Sequence, residues 1–168
     1  HKNPETADIL LKKIQEAERY LTEIEERVEA IRLAPWCEDH VANLTIGWYA
    51  DQLQQQKIPF SVSANIPVMK EEVHADLNCI LSNALQNAME GCGGQEDPFV
   101  RLSAKPKPKG NELLIRIENR CSKSLVGRQQ RFPTTKTGDN HGIGMASMEA
   151  AAKRQHGYLN VSADEGVF

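Results

Sequence analysis

The 168-residue sequence has no apolar run near the roughly 20 residues that a transmembrane helix needs. It has few cysteines, and their positions form no Cys-x-x-Cys pair of the kind that binds metal: Cys37, Cys79, Cys92 and Cys121. A chain of this length can bury a core without disulfides, so free thiols in a reducing cytosol are expected. The sequence also has no excess of basic over acidic residues. The net charge of −3 argues against a general nucleic-acid binder, which needs a basic surface to neutralise phosphates.

No signal peptide is visible, and the sequence begins with His1 rather than a methionine. We therefore expect an excised fragment of a longer protein, in which targeting elements need not be visible. Its content of 40% hydrophobic and 26% charged residues is typical of a folded globular domain.

The first 35 residues predict one long helix. Asn3-Pro4-Glu5 is a helix start and Ala34-Pro35 an end, because the residue before proline disfavours helical geometry. Between them, apolar residues recur at alternating spacings of four and three: Leu10, Ile14, Ala17, Leu21, Ile24, Val28 and Ile31. This heptad seam favours a coiled-coil or dimer-bundle helix. Packing on the chain's own core is the alternative, although a wider apolar stripe would be usual for that.

The remainder predicts an alternating α/β domain over residues 36–168. Apolar periodicity predicts helices over 39–56, 72–90 and 146–155. Strands are predicted at 60–66, from about Phe99, at 113–117 and at 158–161. A proline-broken basic hairpin loop covers 105–110, and residues 120–141 show no period, which is typical of a functional loop or lid.

Two asparagines, Asn83 and Asn87, lie four residues apart within an otherwise Leu- and Ala-rich predicted helix. They therefore project from one helical face, although asparagine is a poor residue for a helix interior. An amide oxygen is a suitable ligand for a Mg²⁺ ion that is also coordinated by phosphate oxygens. Two exposed polar positions on an amphipathic helix remain the alternative.

A glycine-rich segment, Thr134-Thr135-Lys136-Thr137-Gly138-Asp139-Asn140-His141-Gly142-Ile143-Gly144-Met145, leads directly into the last predicted helix. Glycines let the backbone approach a ligand closely, and helix N-terminal amides favour phosphate. The segment fits neither a Rossmann fingerprint, because it follows a long loop, nor a Walker motif, because its lysine precedes the glycines. A plain turn into a helix is the alternative.

Together, the Asn83-x-x-x-Asn87 helix and the later His141-Gly142-Ile143-Gly144-Met145 segment resemble the ATP-binding domain shared by gyrase, heat-shock chaperones, histidine kinases and mismatch-repair ATPases (GHKL). Their order is most similar to sensor histidine kinases, and within these to the peptide-quorum-sensor type of Gram-positive bacteria. The resemblance implies a two-layer α/β sandwich, a mixed sheet with helices on one face, over 36–168. Residues 1–35 would be the second helix of a dimerisation hairpin.

The resemblance also implies roles for individual residues. Asn87 would be the Mg²⁺ ligand, and Asn83 would position the triphosphate and the nucleophile. Lys136, Gly142 and Gly144 would hold phosphates, and His141 would contact one. The activity would be ATP-dependent phosphorylation of a histidine upstream of this sequence. The partners would be a second copy through the N-terminal helix and a response regulator. The chain would be the cytoplasmic part of a membrane-anchored bacterial sensor, reaching the membrane only through upstream segments.

One position departs from most of the superfamily, in which an Asp-x-Gly box follows the strand at 113–117 and its aspartate binds the adenine amino group. Here Asn119 stands at that position and no glycine follows two residues later. Its side-chain oxygen can still accept a hydrogen bond from adenine, but without charge. Two rivals therefore stay open: a serine kinase or anti-sigma regulator on the same fold, and a degenerate module that only dimerises or docks.

Overall fold

The structure is a computed structural model. It describes residues 4–33, 35–108, 111–121, 143–164 and 166–168, and the side chains of 4–8, 27–33 and 143 lie outside that description. The chain divides into two compact units, residues 1–35 and 36–168. Within the described residues, no helix combines the length and the apolar content that crossing a membrane requires. The assignment of the two parts to a dimerisation hairpin and an ATP-binding domain stays a prediction.

The first unit contains one helix, α1 (Pro4–Leu33), over the range that the sequence predicts. Its described apolar side chains are largely exposed, between 39% and 65%: Ile9, Leu10, Leu11, Ile14, Tyr20, Leu21 and Ile24. Val28 and Ile31 of the predicted seam lie outside the described side chains. A single helix cannot bury its own apolar face, so the described part of this face stays exposed within the first unit.

The second unit alternates helices and strands in the order α2 (His40–Gln55), β1 (Phe60–Ala64), α3 (Glu71–Gly91), β2 (Val100–Pro106), β3 (Leu113–Asn119) and α4 (Ile143–Arg154). These elements confirm three predicted helices and three predicted strands, with bounds that differ by a few residues.

The three strands form one mixed sheet with β2 in the centre, parallel to β1 and antiparallel to β3. Along β2 the side chains alternate between the two faces, as strand geometry requires. Val100, Leu102 and Ala104 are buried, whereas Arg101 and Ser103 are exposed. Helices therefore cover one face of the sheet, which is the two-layer α/β arrangement expected from the sequence.

The core lies between that face and the helices α2 and α3. Its largest fully buried side chains include Ile46 and Leu53 on α2 and Leu81 and Leu85 on α3. At about 1.5–3 kcal/mol for each fully buried aliphatic side chain, this layer is the main source of stability of the unit.

The strand predicted at 158–161 is wrong. Those residues belong to no strand, and Tyr158 is 80% exposed. The end of β3 pairs instead with a later segment: Asn119 and Phe168 exchange backbone hydrogen bonds of 2.9 Å, and Cys121 N donates to Gly166 O at 2.8 Å. The backbone groups at the end of β3 are therefore already bonded to residues 166–168. Residues 158–161 alternate in sequence but form no ladder with β3.

Candidate nucleotide site

One face of α3 carries three polar side chains at helical spacing: Asp76, Asn83 and Asn87. Seven and then four residues separate them, which places them in one row along the helix. All three contact α4. Gly144 lies at Asn83, Met145 at Asn87 and Arg154 at Asp76, so α4 runs antiparallel to α3 along this row.

The amide of Asn83 is oriented by its own helix. Its Nδ2 donates to the backbone carbonyl of Cys79, one turn earlier, at 2.8 Å. This bond satisfies the donor side of the amide and leaves Oδ1 on the other side, toward α4. Asn83 is half-buried, so its oxygen is placed by a fixed side chain rather than by a mobile surface group.

Asn87 lies one turn further along the same row. Its Nδ2 has only a long contact of 3.9 Å with Met145 Sδ, a weak acceptor. No described residue donates a hydrogen bond to the Oδ1 of Asn83 or Asn87. Two amide oxygens on one helix face can therefore serve as ligands or acceptors for a bound group.

The start of α4 approaches this pair so closely that a side chain at position 144 would press on Asn83. A Cβ built there would lie 3.0 Å from Asn83 Oδ1. An alanine at 144 would therefore have to displace the asparagine amide. The backbone at the end of the predicted phosphate segment thus lies directly against the predicted asparagine pair.

At its other end α4 is held by an ion pair that sequence reasoning missed. Arg154 donates from Nε to Asp76 Oδ1 at 2.9 Å, and Gln155 Nε2 donates to Asp76 Oδ2 at 2.7 Å. These hydrogen bonds lower the pKa of Asp76, which is only 7% exposed. The sequence does contain a signal for this residue. Counting back from Asn83 by three and then four residues leads through Ile80 to Asp76, which is an acid on an otherwise half-buried helix face.

Asn119, the residue at the predicted adenine-binding position, ends β3 beside the C-terminus of α3. It is buried, and its Nδ2 donates to the Arg120 carbonyl at 2.8 Å. A Cβ on Gly91 would lie only 2.6 Å from that nitrogen, so the last residue of α3 must be small. Asn119 therefore adjoins the helix that carries Asn83 and Asn87, one turn beyond Asn87, and its role toward adenine stays a prediction.

The sequence profile of the GHKL domain matches residues 73–168, which span α3, β2, β3 and α4. This chain belongs to the GHKL family. GHKL domains bind ATP, so nucleotide binding is implied for this domain as well. No curated protein matches the chain.

A solved structure shows the same fold. The GHKL domain here matches a nucleotide-free catalytic domain of the histidine kinase ThkA with a TM-score of 0.53 and 16% identity, over 76% of this chain and 84% of the other. A second nucleotide-free form of that domain gives a TM-score of 0.46 and 14% identity, over 68% and 76%. The first comparison places the fold among histidine kinase catalytic domains.

The rest of the predicted phosphate segment falls outside the described residues of this GHKL domain. Lys136, His141 and Gly142 lie outside the description, and so does most of the irregular stretch at 120–141. Of the seven predicted site residues, the structure brings Asn83, Asn87 and Gly144 together, and Asn119 lies at the end of the same helix.

The described residues fit a Mg²⁺-nucleotide. Asn83 and Asn87 offer amide oxygens, which suit a hard cation that keeps several waters and shares phosphate oxygens. Gly144 keeps the adjoining backbone free of a side chain. Glu90, the exposed residue before the last residue of α3, accepts from Gln86 Nε2 at 2.7 Å. This contact between residues four apart is typical of a solvated residue at a helix end.

Proposed function

We propose that this chain is the ATP-binding catalytic part of a two-component sensor histidine kinase, which transfers the γ-phosphate of ATP to a histidine outside these 168 residues. The packing of Gly144 against Asn83 carries the proposal. It joins the two sequence elements, separated by about 60 residues, that the nucleotide site would need.

The chain's own residues would bind and orient the triphosphate. The Asn83 amide, fixed by Cys79, would direct its oxygen to the waters around a bound Mg²⁺ and so help to position the triphosphate, and Asn87 would supply a metal ligand. Lys136, His141, Gly142 and Gly144 would contact phosphate oxygens, with Lys136 adding positive charge. When bound, Mg²⁺ would neutralise phosphate charge. Phosphoryl transfer depends on such positioning and charge stabilisation rather than on covalent chemistry of the protein.

The finer assignments belong to the same proposal. The exposed apolar face of α1 supports a homodimer formed through this helix, as part of a dimerisation hairpin. A response regulator would receive the phosphate. The motif order supports the peptide-quorum-sensor type of Gram-positive bacteria, and the chain would be the cytoplasmic domain of a membrane-anchored sensor. Asn119 in place of the usual aspartate fits that type.

The test is a calorimetric titration with Mg-ATP. Asn87→Ala removes a metal ligand and should weaken binding at least tenfold, or about 1.4 kcal/mol. The matched control is Asn78→Ala on the same helix. Asn78 is exposed and accepts a hydrogen bond from Thr45 of α2, away from the proposed site, so its loss should leave the affinity unchanged. Equal affinities for Asn87→Ala and the parent chain would remove Asn87 from the metal role.

A second prediction concerns the phosphate acceptor. These 168 residues should bind ATP yet incorporate no phosphate, because transfer needs an imidazole in line with the γ-phosphate and α1 contains no histidine. Radiolabelled ATP should label a longer chain that includes the preceding helix, and replacement of that helix's histidine should abolish the label. Acid-labile phosphate on the present chain would contradict the assignment.

The second candidate is a degenerate module on the same fold that docks or dimerises without using ATP. One observation favours it: the buried Asn119 amide already donates to Arg120, whereas the superfamily has a charged acceptor at this position. The Mg-ATP titration separates the two candidates, since a degenerate module would show no binding even before mutation.

A further inference from the structure

A second group of ligand-type side chains lies at the opposite end of α3 from Asn87. It consists of Asp39, His40 and His74, and their potential ligand atoms all lie within 4.8 Å of one another. Asp39 caps α2, His40 is the first residue of α2, and His74 lies in the first turn of α3. His74 and Asn83 are nine residues apart, which is about 13 Å along a helix, so this group is separate from the nucleotide site.

We propose that Asp39, His40 and His74 form a binding site for a transition-metal ion of the Zn²⁺ class, which joins the start of α2 to the start of α3. Two imidazoles and one carboxylate are a typical three-residue zinc set, with water as the fourth ligand. This chemistry differs from that of Asn83 and Asn87, because imidazole nitrogens favour zinc over magnesium. The proposal does not depend on the function proposed above.

The geometry needs little rearrangement at two of the three ligands. His74 Nε2 lies 2.9 Å from Asp39 Oδ2. Two ligands at zinc distances of about 2 Å in a tetrahedral site lie about 3.3 Å apart. An ion can therefore replace the hydrogen that these atoms share, with a shift of a few tenths of an ångström.

The third ligand has the freedom to close the site. The His40 ring packs edge-on against the His74 ring with 4.7 Å between their centroids. His40 is exposed, whereas Asp39 is fully buried and the His74 side chain is 15% exposed. The exposed His40 can rotate its ring nitrogen toward the pair, and an ion can enter from its side.

The carboxylate is held in place for this role. Asp39 Oδ1 accepts from Ala42 N at 2.9 Å, and Oδ2 accepts from Met69 N at 3.0 Å. Burial opposes ionisation, but these bonds and the one from His74 outweigh it and lower the pKa of Asp39. Backbone donors of this kind orient ligands in known metal sites.

The nearest thiol is a poor competitor for the ion. Cys37 lies two residues before Asp39 and points its Sγ at the Asp39 carbonyl, at 3.5 Å. Its sulfur is not among the ligand atoms that lie within 4.8 Å of one another, so geometry places Cys37 outside the proposed set.

The experiment is a calorimetric titration of the whole chain with Zn²⁺, without nucleotide. One equivalent should bind, and His40→Gln and His74→Gln should each lower the affinity at least tenfold. His40→Gln should keep the parent circular dichroism spectrum, because His40 is exposed and does not cap the helix. The control is His156→Asn, which removes an exposed histidine at a left-handed position (φ 57°) that asparagine tolerates.

A spectrum with Co²⁺ supplies the second measurement. The proposed ligands predict a tetrahedral Co²⁺ spectrum without sulfur charge transfer, and Cys37→Ser should leave it unchanged. Zinc should also raise the melting temperature of the parent chain but not that of His40→Gln, since an ion that binds only the folded state stabilises it. Unchanged zinc affinity in His40→Gln, an equal loss in His156→Asn, or a sulfur band would overturn the proposal.

Discussion

The two longest helices of the chain have similar apolar periodicity but opposite surroundings. On α3, Leu77, Leu81 and Leu85 are at most 4% exposed, whereas on α1 Leu10, Ile14 and Leu21 are more than half exposed. A sequence pattern identifies the apolar face of a helix but not what covers it. The face of α3 is covered by its own unit, whereas the first unit contains no second described element that could cover the face of α1.

The largest expected effect tests the buried side of this comparison. Leu85→Ala removes a fully buried side chain from the core and should lower the free energy of unfolding of the second unit by about 2–5 kcal/mol. Leu21→Ala on α1 is the matched change and should alter it by less than about 0.5 kcal/mol in a monomer. Denaturant titrations at low protein concentration measure both. Equal losses would show that Leu21 is buried by the chain itself.

A smaller effect tests the exposed side. Replacing both Leu21 and Ile24 by glutamate should weaken self-association at least tenfold, or about 1.4 kcal/mol, because pairing would then bury unpaired charges. Sedimentation velocity over a range of concentrations measures the shift toward monomer. The parent chain should associate only weakly if half of a dimer bundle is missing. A parent chain that remains monomeric at high concentration would count against the seam.

The smallest effect concerns the ion pair on the polar face of α3. The pKa of Asp76 is lowered in the folded state, so the ionised carboxylate stabilises the fold. This contribution to the free energy of unfolding is present above about pH 4 and is lost as the pH falls through the folded pKa. The melting temperature should therefore fall more steeply between pH 5 and 3 in the parent chain than in Asp76→Asn. Parallel curves would mean that Asp76 is not linked to folding in this way.

Much of the fold follows from the sequence because period and turn chemistry are local properties. The apolar spacing of α3 and the alternation in β1 were sufficient to predict both elements. The strand predicted at 158–161 was wrong because a strand also needs a partner, and alternation says nothing about which backbone groups are already bonded. Likewise, Ile66 continues the alternation of β1, yet its carbonyl accepts from Glu38 and Asp39 at the start of α2.

The candidate site was predictable where residue type and spacing agree, as for Asn83, Asn87 and Gly144. Contacts between distant residues were not. The Asp76–Arg154 pair joins positions 78 residues apart, and Asp39 meets His74 across 35. Each depends on how helices pack rather than on a local pattern, so only the folded chain shows it.

The two contacts of α4 with α3 fix the length of helix that must lie between them. Gly144 contacts Asn83 and Arg154 contacts Asp76, so two contacts ten positions apart on α4 are matched to a fixed interval on α3. One inserted residue between the two attachments would rotate the far end by about 100° and advance it by about 1.5 Å. Either the arginine or the glycine would then leave its partner. Variation in length is therefore tolerated outside this interval more readily than within it.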